Sequence, residues 1–289
     1  MTDSLARIFR SINALLLRFD HPLVHRPLKL VYGLSAWFHR KGFGRNRPEQ
    51  VITNFGGNAS LRIDPSRNMG ASIYWTGFHE FRELLFLHHY LKPGMVVVDA
   101  GANIGLFTIF AAQRTGNGQV IAFEPVPSMA GRLEENIRLN HLRNVTAVRC
   151  GLGASEGVLP IYEINSTHEG LSTLYPGELE KAAVTDVPVK RLDDLFEGYG
   201  AGRLDFIKID IEGGELPALR GAEQCIRRYR PAVMVEINQG TYASAGYKPA
   251  DVYAFFRSLD YRPHEIGKTG QLHPEQVESV FSNIVFLPS

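Results

Sequence analysis

The chain has 289 residues, of which 44% are hydrophobic, enough to bury one large core with an appendage. Its formal net charge at pH 7 is +1, so the composition gives no reason to expect a nucleic acid partner. Cys150 and Cys225 lie in or beside apolar segments, which favours reduced, buried thiols over a disulfide or a metal site. The expected class is a single α/β enzyme of the cytoplasm.

The first fifty residues differ in charge from the rest of the chain. They hold nine Lys or Arg and three acids, a balance of +6, which leaves −5 for the other 239 residues. Apolar residues recur there at helical spacing, at Leu5, Ile8, Phe9, Ile12, Leu15, Leu16 and Phe19. The apolar run at 14–17 is too short to span a bilayer and lacks the cleavage site of a signal peptide. A basic amphipathic helix can lie on an anionic membrane or pack on protein, including a second subunit of a homo-oligomer; we expect packing.

Residues 50–80 are expected to form a short β-hairpin and then an irregular connection. Strand-like segments at 51–54 and 60–64 flank a turn signal, Gly56-Gly57-Asn58. A helix is predicted at 80–91. The expected division is an extension at 1–80 and a main domain at 81–289.

The next segment contains a β-branched strand, an acid, a glycine turn and an amphipathic helix. The strand Val96-Val97-Val98 ends at Asp99, and small residues follow at Gly101, Ala102 and Gly105. Such a turn lets a ligand approach the backbone at a helix amino terminus. The spacing is G-x-x-x-G rather than the G-x-G-x-x-G of dinucleotide sites, and the acid suits an ammonium group better than a phosphate. The turn therefore favours S-adenosylmethionine over a dinucleotide.

A second strand, predicted to begin at Gln119, ends in another acid. Glu124 lies 25 positions after Asp99 and is followed by Pro125, which stops the strand. In nucleoside-binding α/β units, a carboxylate at this place accepts hydrogen bonds from the ribose hydroxyls. Glu124 is therefore the predicted ribose ligand, and a helix should follow at 128–142.

Strands and helices continue to alternate, which predicts a Rossmann-like, mostly parallel sheet with helices on both faces. Further strands are expected at 146–150, 158–162, 204–210, 232–237, 261–266 and 279–287, and helices at 215–229 and 249–259.

Acidic side chains also follow two later strands of the predicted sheet. Asp210 and Glu212 end one strand, and Glu236 and Asn238 end the next. Clustered carboxylates raise one another's pKa or recruit a cation, so the cluster predicts either proton-accepting groups or a Mg²⁺ site at Asp210, Glu236 and Asn238. We favour metal-independent chemistry. Lys208 either forms a buried ion pair with these acids or has a catalytic charge role.

Five motifs in order resemble the signature of FkbM-type methyltransferases. They are Asp99-Ala-Gly-Ala-Asn-Ile-Gly105, Phe123-Glu-Pro125, Arg191-Leu-Asp-Asp194, Lys208-Ile-Asp-Ile-Glu-Gly213, and Arg230-Pro231 ahead of Glu236. The resemblance implies a seven-stranded class I fold and methylation of hydroxyls on sugars or polyketide-like products by S-adenosylmethionine. It places Asp99, Gly101, Asn103 and Gly105 beside the methionine part of the cofactor and Glu124 on the ribose. Further cofactor contacts are expected at Glu80, Ala102, Pro125, Gly151, Leu152 and Asp210, with His79 replacing the family's tyrosine before Glu80.

The implied reaction is an in-line displacement of the methyl group by an acceptor oxygen. An alcohol is a poor nucleophile, so a base or a metal must help to remove its proton. The candidates are Asp210 and Glu212, followed by His168 in the polar loop at 164–187. We expect a small-molecule or saccharide acceptor. The alternatives are a nitrogen or lipid-linked acceptor, with the basic amino terminus at a membrane, and a non-catalytic nucleoside-binding module.

Overall fold

The computed structural model of the chain describes residues 2–17, 22–41, 47–164, 172–176 and 181–289. The α-helices are α1 Thr2–Asn13, α2 Pro22–Arg40, α3 Asn68–Thr76, α4 Phe81–Tyr90, α5 Leu106–Thr115, α6 Pro127–Leu139, α7 Leu192–Leu195, α8 Glu215–Gly221, α9 Glu223–Tyr229, α10 Gln239–Ser244 and α11 Pro249–Arg257. Short 3-10 helices occupy Ala14–Leu17 and Phe196–Tyr199. The strands are β1 Gln50–Phe55, β2 Ala59–Ile63, β3 Val96–Ala100, β4 Gln119–Phe123, β5 Val145–Val148, β6 Gly151–Leu152, β7 Gly157–Ile164, β8 Ser172–Thr173, β9 Lys181–Lys190, β10 Phe206–Ile209, β11 Ala232–Asn238, β12 Tyr261–Ile266, β13 Leu272–Pro274 and β14 Phe281–Pro288.

An eight-stranded sheet forms the centre of the molecule, in the order β13-β12-β14-β11-β10-β3-β4-β5. The strands from β11 to β5 pair in parallel, and β14, β12 and β13 add antiparallel pairs. All five residues of β3 and all four of β10 are buried, as expected for strands covered by helices on both faces. The predicted Rossmann-like architecture is confirmed, with the three-residue β13 as an additional edge strand.

A separate four-stranded sheet, in the order β6-β9-β7-β8, lies outside this central sheet. The predicted strand at 158–162 belongs here, where β7 pairs antiparallel with β9. Val158 and Val184, which share one face of this pair, are largely exposed. The sequence analysis missed β9 because its pattern lacks the continuous apolar run of a buried strand.

The region before residue 80 contains more helix than expected. Residues 68–76 form α3 rather than an irregular connection, because Ile73, Tyr74 and Trp75 turn inward and are almost completely buried. The helix α2 was also not anticipated. One hydrophobic cluster joins Phe9 and Trp75 to Phe206 of the central sheet, so the boundary proposed at residue 80 does not separate two cores.

The remaining predicted elements form with small shifts in their ends, except that the helix expected at 215–229 is interrupted at Ala222. Cys150 and Cys225 are buried free thiols, as predicted. Within the described segments, no helix combines the length and the apolar character needed to cross a bilayer.

Candidate active site

A cleft of about 300 Å³ opens at the carboxyl ends of β3, β4, β10 and β11. The glycine turn after β3 and the acids that follow β10 and β11 both line this cleft. The carboxyl edge of an open α/β sheet is the usual place for a ligand.

Gly101 is required where the glycine turn passes the end of β10. Its φ of 82° is in the left-handed region, and a Cβ there would lie 2.0 Å from the main-chain oxygen of Asp210. The main-chain N–H groups of Gly101 and Ala102 both donate to the Phe123 carbonyl at 3.0 Å, which ties the turn to β4. Gly101, Ala102 and Asn103, three of the residues predicted to contact the cofactor, line the cleft.

Gly105 serves packing instead. A Cβ at this position would lie 2.7 Å from a methyl carbon of Leu133 on α6, and the residue is not among those that line the cleft. The small size of Gly105 lets α5 and α6 approach each other, and its expected contact with the cofactor stays a prediction.

Glu124 is held by two main-chain amides and lines the cleft beside the glycine turn. The N–H of Asn103 donates to its Oε2 at 2.7 Å, and the N–H of Val126 donates to its Oε1 at 2.9 Å. The residue is 5% exposed, and this burial raises its pKa to about 7 in spite of the two hydrogen bonds. Each oxygen has a second lone pair that can accept a hydrogen bond from a ligand hydroxyl.

Asp99 does not reach the cleft. Its side chain is completely buried, where the Thr108 hydroxyl donates to Oδ2 at 2.5 Å and the Lys208 ammonium lies 3.9 Å from Oδ1. Burial raises its pKa. The carboxylate of Asp99 faces the interior and partners Lys208, and its expected contact with the methionine ammonium stays a prediction.

Lys208 lies on β10 at the base of the acidic cluster. Its ammonium is 3.1 Å from Oδ2 of Asp210 and 5.8 Å from the ring centroid of Phe107. Burial alone would lower its pKa, but the carboxylates of Asp210, Asp99 and Glu80 together raise it. Lys208 is therefore a buried, charged partner of these acids.

Besides Glu124, four carboxylates line the cleft from three parts of the chain: Glu80, Asp210, Glu212 and Glu236. Oxygens of the last three lie within 4.8 Å of one another. Burial, reinforced by the neighbouring negative charges, raises the pKa of Glu80 to about 7, of Glu212 to about 8 and of Glu236 to about 10. At neutral pH the cluster therefore retains protons, and it is poised to accept or donate them.

Three side chains that the sequence analysis missed hold the turn that carries Glu212. The buried carboxylate of Glu215 accepts from the N–H groups of Ile211 and Gly213, each at 2.9 Å. The Tyr247 hydroxyl lies 3.1 Å from the Gly213 carbonyl and 3.2 Å from Oε2 of Glu215. Thr173 of β8 donates to the Glu212 carbonyl at 2.6 Å. These contacts keep Glu212 at a φ of 53°, a left-handed conformation that a glutamate rarely adopts.

The expected metal ligand Asn238 does not join the acidic cluster. Its side-chain oxygen accepts from the N–H groups of Gly240 and Thr241 and caps α10. Glu212 takes its place beside Asp210 and Glu236, and carboxylate oxygens are ligands that Mg²⁺ accepts. The Lys208 ammonium, however, already supplies a positive charge at Asp210.

Of the remaining predicted site residues, only some line the cleft. Pro125 lines the cleft, whereas Gly151 and Leu152 form β6 in the small sheet and are not among the lining residues. His168 lies outside the described residues. Further lining comes from residues that sequence reasoning did not select, with β7 and β8 contributing Ile161 and Ser172 and α3 contributing Asn68 and Met69.

A family model described as the methyltransferase FkbM domain matches residues 99–263, more than half of the chain. The chain belongs to the FkbM methyltransferase family. The methyltransferase sdnD of Sordaria araneosa is 32% identical over 202 residues, covering 58% of this chain and 76% of that protein. The 31-O-demethyl-FK506 methyltransferase FkbM of Streptomyces tacrolimicus is 30% identical over 50% of this chain and 66% of its own length. The hexuronic acid methyltransferase AglP of Haloferax volcanii is 31% identical over 54% of this chain and 59% of its own length.

The FkbM domain begins at Asp99 and includes the glycine turn, Glu124 and the acids that follow β10 and β11. The chain is thus a methyltransferase with the Rossmann-like fold of enzymes that use S-adenosylmethionine.

Proposed function

We propose that the chain transfers a methyl group from S-adenosylmethionine to a hydroxyl group of a saccharide or related natural product. The observation that carries this proposal is one cleft lined both by Glu124, whose oxygens can take ribose hydroxyls, and by carboxylates of raised pKa. Two relatives, named as a 31-O-demethyl-FK506 methyltransferase and a hexuronic acid methyltransferase, support this class of acceptor.

The lining residues fit the cofactor in size and charge. Glu124 is placed to accept from the ribose hydroxyls, and Gly101, Ala102 and Asn103 of the glycine turn line the cleft beside it. Glu80 and Asp210 offer negative charge to an ammonium and a sulfonium group. When bound, S-adenosylmethionine supplies an electrophilic methyl group.

Glu212 is our candidate for the general base. With a pKa of about 8, its carboxylate can accept the proton of an acceptor hydroxyl as the oxygen becomes nucleophilic. The carboxylate of Asp210 already forms a salt bridge with Lys208. Glu236, with a pKa of about 10, is protonated at neutral pH and can donate a hydrogen bond to the acceptor.

The enzyme's main contribution is to align the sulfur, the methyl group and the acceptor oxygen. Such alignment can supply about 7–11 kcal/mol of the barrier reduction. Lys208 keeps a positive charge among the carboxylates, so we propose that the transfer needs no divalent cation.

The proposal is tested by calorimetry and by product analysis on the full chain. S-adenosylmethionine or its demethylated product should bind with micromolar affinity, and nicotinamide dinucleotides should not bind. Turnover of a panel of sugars, polyols, macrolides and amines, followed by NMR of the product, identifies the methylated atom. Methylation of nitrogen alone would contradict the proposed reaction.

A variant pair tests the base. Glu212→Gln should lower kcat by about 10²–10⁴-fold, and the wild-type rate should rise with pH through about 8. Glu156→Gln, on a carboxylate that is 72% exposed, is the matched control. An unchanged rate in Glu212→Gln would exclude Glu212 as the base.

A further inference from the structure

The outer face of α2 carries an exposed apolar stripe with cations at its end. Leu30, Leu34 and Trp37 are 77%, 50% and 42% exposed, and they follow one another at one-turn spacing along the helix. Arg40 and Lys41, at the end of the helix, are exposed as well.

The inner face of the same helix is firmly packed. The ring of Tyr32 stacks on Phe81 with centroids 4.9 Å apart, and that of Phe38 stacks on Trp75 at the same distance. Ser35 is completely buried against Asn13 of α1. Because these contacts fix the orientation of α2, the outward position of the stripe is a stable feature of the fold.

Two apolar residues and one basic residue of α1 pack into the molecule, although Ile8 of the same helix is 54% exposed. Ala6 and Phe9 are buried in the main hydrophobic cluster, and Arg10 donates to the Tyr74 carbonyl at 2.5 Å. The packing expected from the sequence thus describes α1, whereas α2 presents apolar surface outward.

Charge indicates what this surface binds. The first fifty residues carry a balance of +6, against −5 for the remainder. Pairing this face with its own copy would bring the same basic segments together, whereas an anionic surface attracts them. Tryptophan is favoured at a membrane interface, and the long side chains of Arg and Lys can reach lipid headgroups while the helix lies in the interface.

We propose that α2 is a docking helix that lies on an anionic lipid bilayer through Leu30, Leu34 and Trp37, with Arg40 and Lys41 at the headgroups. The inner face of α2 contacts Phe81, the residue that follows Glu80 of the cleft. Docking would therefore hold the cleft close to the membrane surface. The proposal concerns a surface outside the cleft, and its test does not depend on methyl transfer.

The test is sedimentation of the full chain with vesicles of phosphatidylcholine, with and without phosphatidylglycerol. Binding should require the anionic lipid and weaken as salt rises, because the Debye length falls from about 10 Å at 0.1 M to about 3 Å at 1 M. Arg40→Gln and Lys41→Gln should each weaken binding by about fivefold, and Leu34→Ser by about tenfold.

Val158→Ser is the matched control, since Val158 is 67% exposed but lies on β7 of the small sheet. Its binding should equal that of the parent chain. Absence of binding to the anionic vesicles, or equal binding by Leu34→Ser and the parent, would overturn the proposal. A second result would also overturn it: a parent chain that forms a homodimer and does not bind vesicles, with a Leu34→Ser variant that is monomeric. The exposed stripe of α2 would then contact a second copy of the chain.

Discussion

The main-chain N–H of Asn103 donates to the carboxylate of Glu124 at 2.7 Å, so the glycine turn and the end of β4 hold each other in place. A second amide, that of Val126, fixes the other carboxylate oxygen. The carboxylate is therefore oriented before any ligand arrives, which reduces the conformational entropy that the side chain loses on binding.

Replacing Glu124 by Ala should weaken binding of S-adenosylhomocysteine. Two hydrogen bonds to a charged carboxylate are lost, each worth about 1.5–3 kcal/mol. Titration calorimetry measures the change. Glu135→Ala, at an acid that pairs with Arg62 on the surface, is the control and should bind normally. Equal affinity in Glu124→Ala would contradict the ribose assignment.

Lys208→Met should destabilise the fold. It leaves the buried carboxylate of Asp99 without its positive neighbour, and breaking a buried pair in this way costs about 3–5 kcal/mol. Urea unfolding gives the value, and adding Asp99→Asn should recover part of it. Lys190→Met, which removes an exposed pair with Glu156, should change stability by less than about 1 kcal/mol. A Lys208→Met protein as stable as the parent would show that this charge pairing is unimportant.

Glu215→Gln tests the support of the Glu212 turn. A glutamine offers one acceptor oxygen, so either the Ile211 or the Gly213 amide loses its partner, at a cost of about 1–3 kcal/mol. Because the turn positions Glu212, kcat should fall by more than the affinity for S-adenosylhomocysteine. The comparison is Tyr247→Phe, which removes only the hydroxyl contacts with the turn. Loss of cofactor binding with an unchanged kcat would contradict this role.

The ligand-free protein should lose thermal stability as the pH rises from 6.5 to about 9. Glu212 and Glu236 have pKa values of about 8 and about 10 in the fold, above the ordinary value of 4.5. Each glutamate binds its proton more tightly in the folded chain than in the unfolded chain. The stability that this proton adds to the fold is complete below about pH 4.5 and is lost as the pH rises through the pKa of the folded chain. The half-buried His88, whose pKa desolvation lowers to about 4, destabilises the fold only below this pH range.

Differential scanning fluorimetry across this range measures the effect. Glu212→Gln removes one of the titrating groups while keeping its shape, so its Tm should decline less steeply than that of the parent. Parallel curves for the two proteins would show that Glu212 has no raised pKa.

Excess chelator should leave methyl transfer unchanged. Asp210 pairs with the Lys208 ammonium at 3.1 Å, and the side chain of Asn238 caps a helix. Two of the three ligands of the predicted Mg²⁺ site therefore already have other partners. Assays with and without EDTA test this. Loss of activity that Mg²⁺ restores would show instead that the three clustered carboxylates act as metal ligands.

The parallel strands, the glycine turn and Glu124 could be predicted from sequence because their signals are local. Gly101 and the residues around it form one continuous segment, and Glu124 follows directly from a buried strand. The carboxyl ends of parallel strands share one edge, so Asp210 and Glu236 could be expected to meet there as well. The order of these motifs was also sufficient to predict the family.

Contacts between distant segments decided the rest. Asp99 turns inward because Lys208, more than a hundred residues later, lies beside it, and Asn238 caps α10 because the chain turns immediately after β11. Equivalent apolar spacing in α1 and α2 has opposite outcomes: Phe9 is buried, whereas Leu34 is exposed. Spacing determines which residues share a helix face, but burial depends on which other element covers that face, and only the tertiary structure determines that.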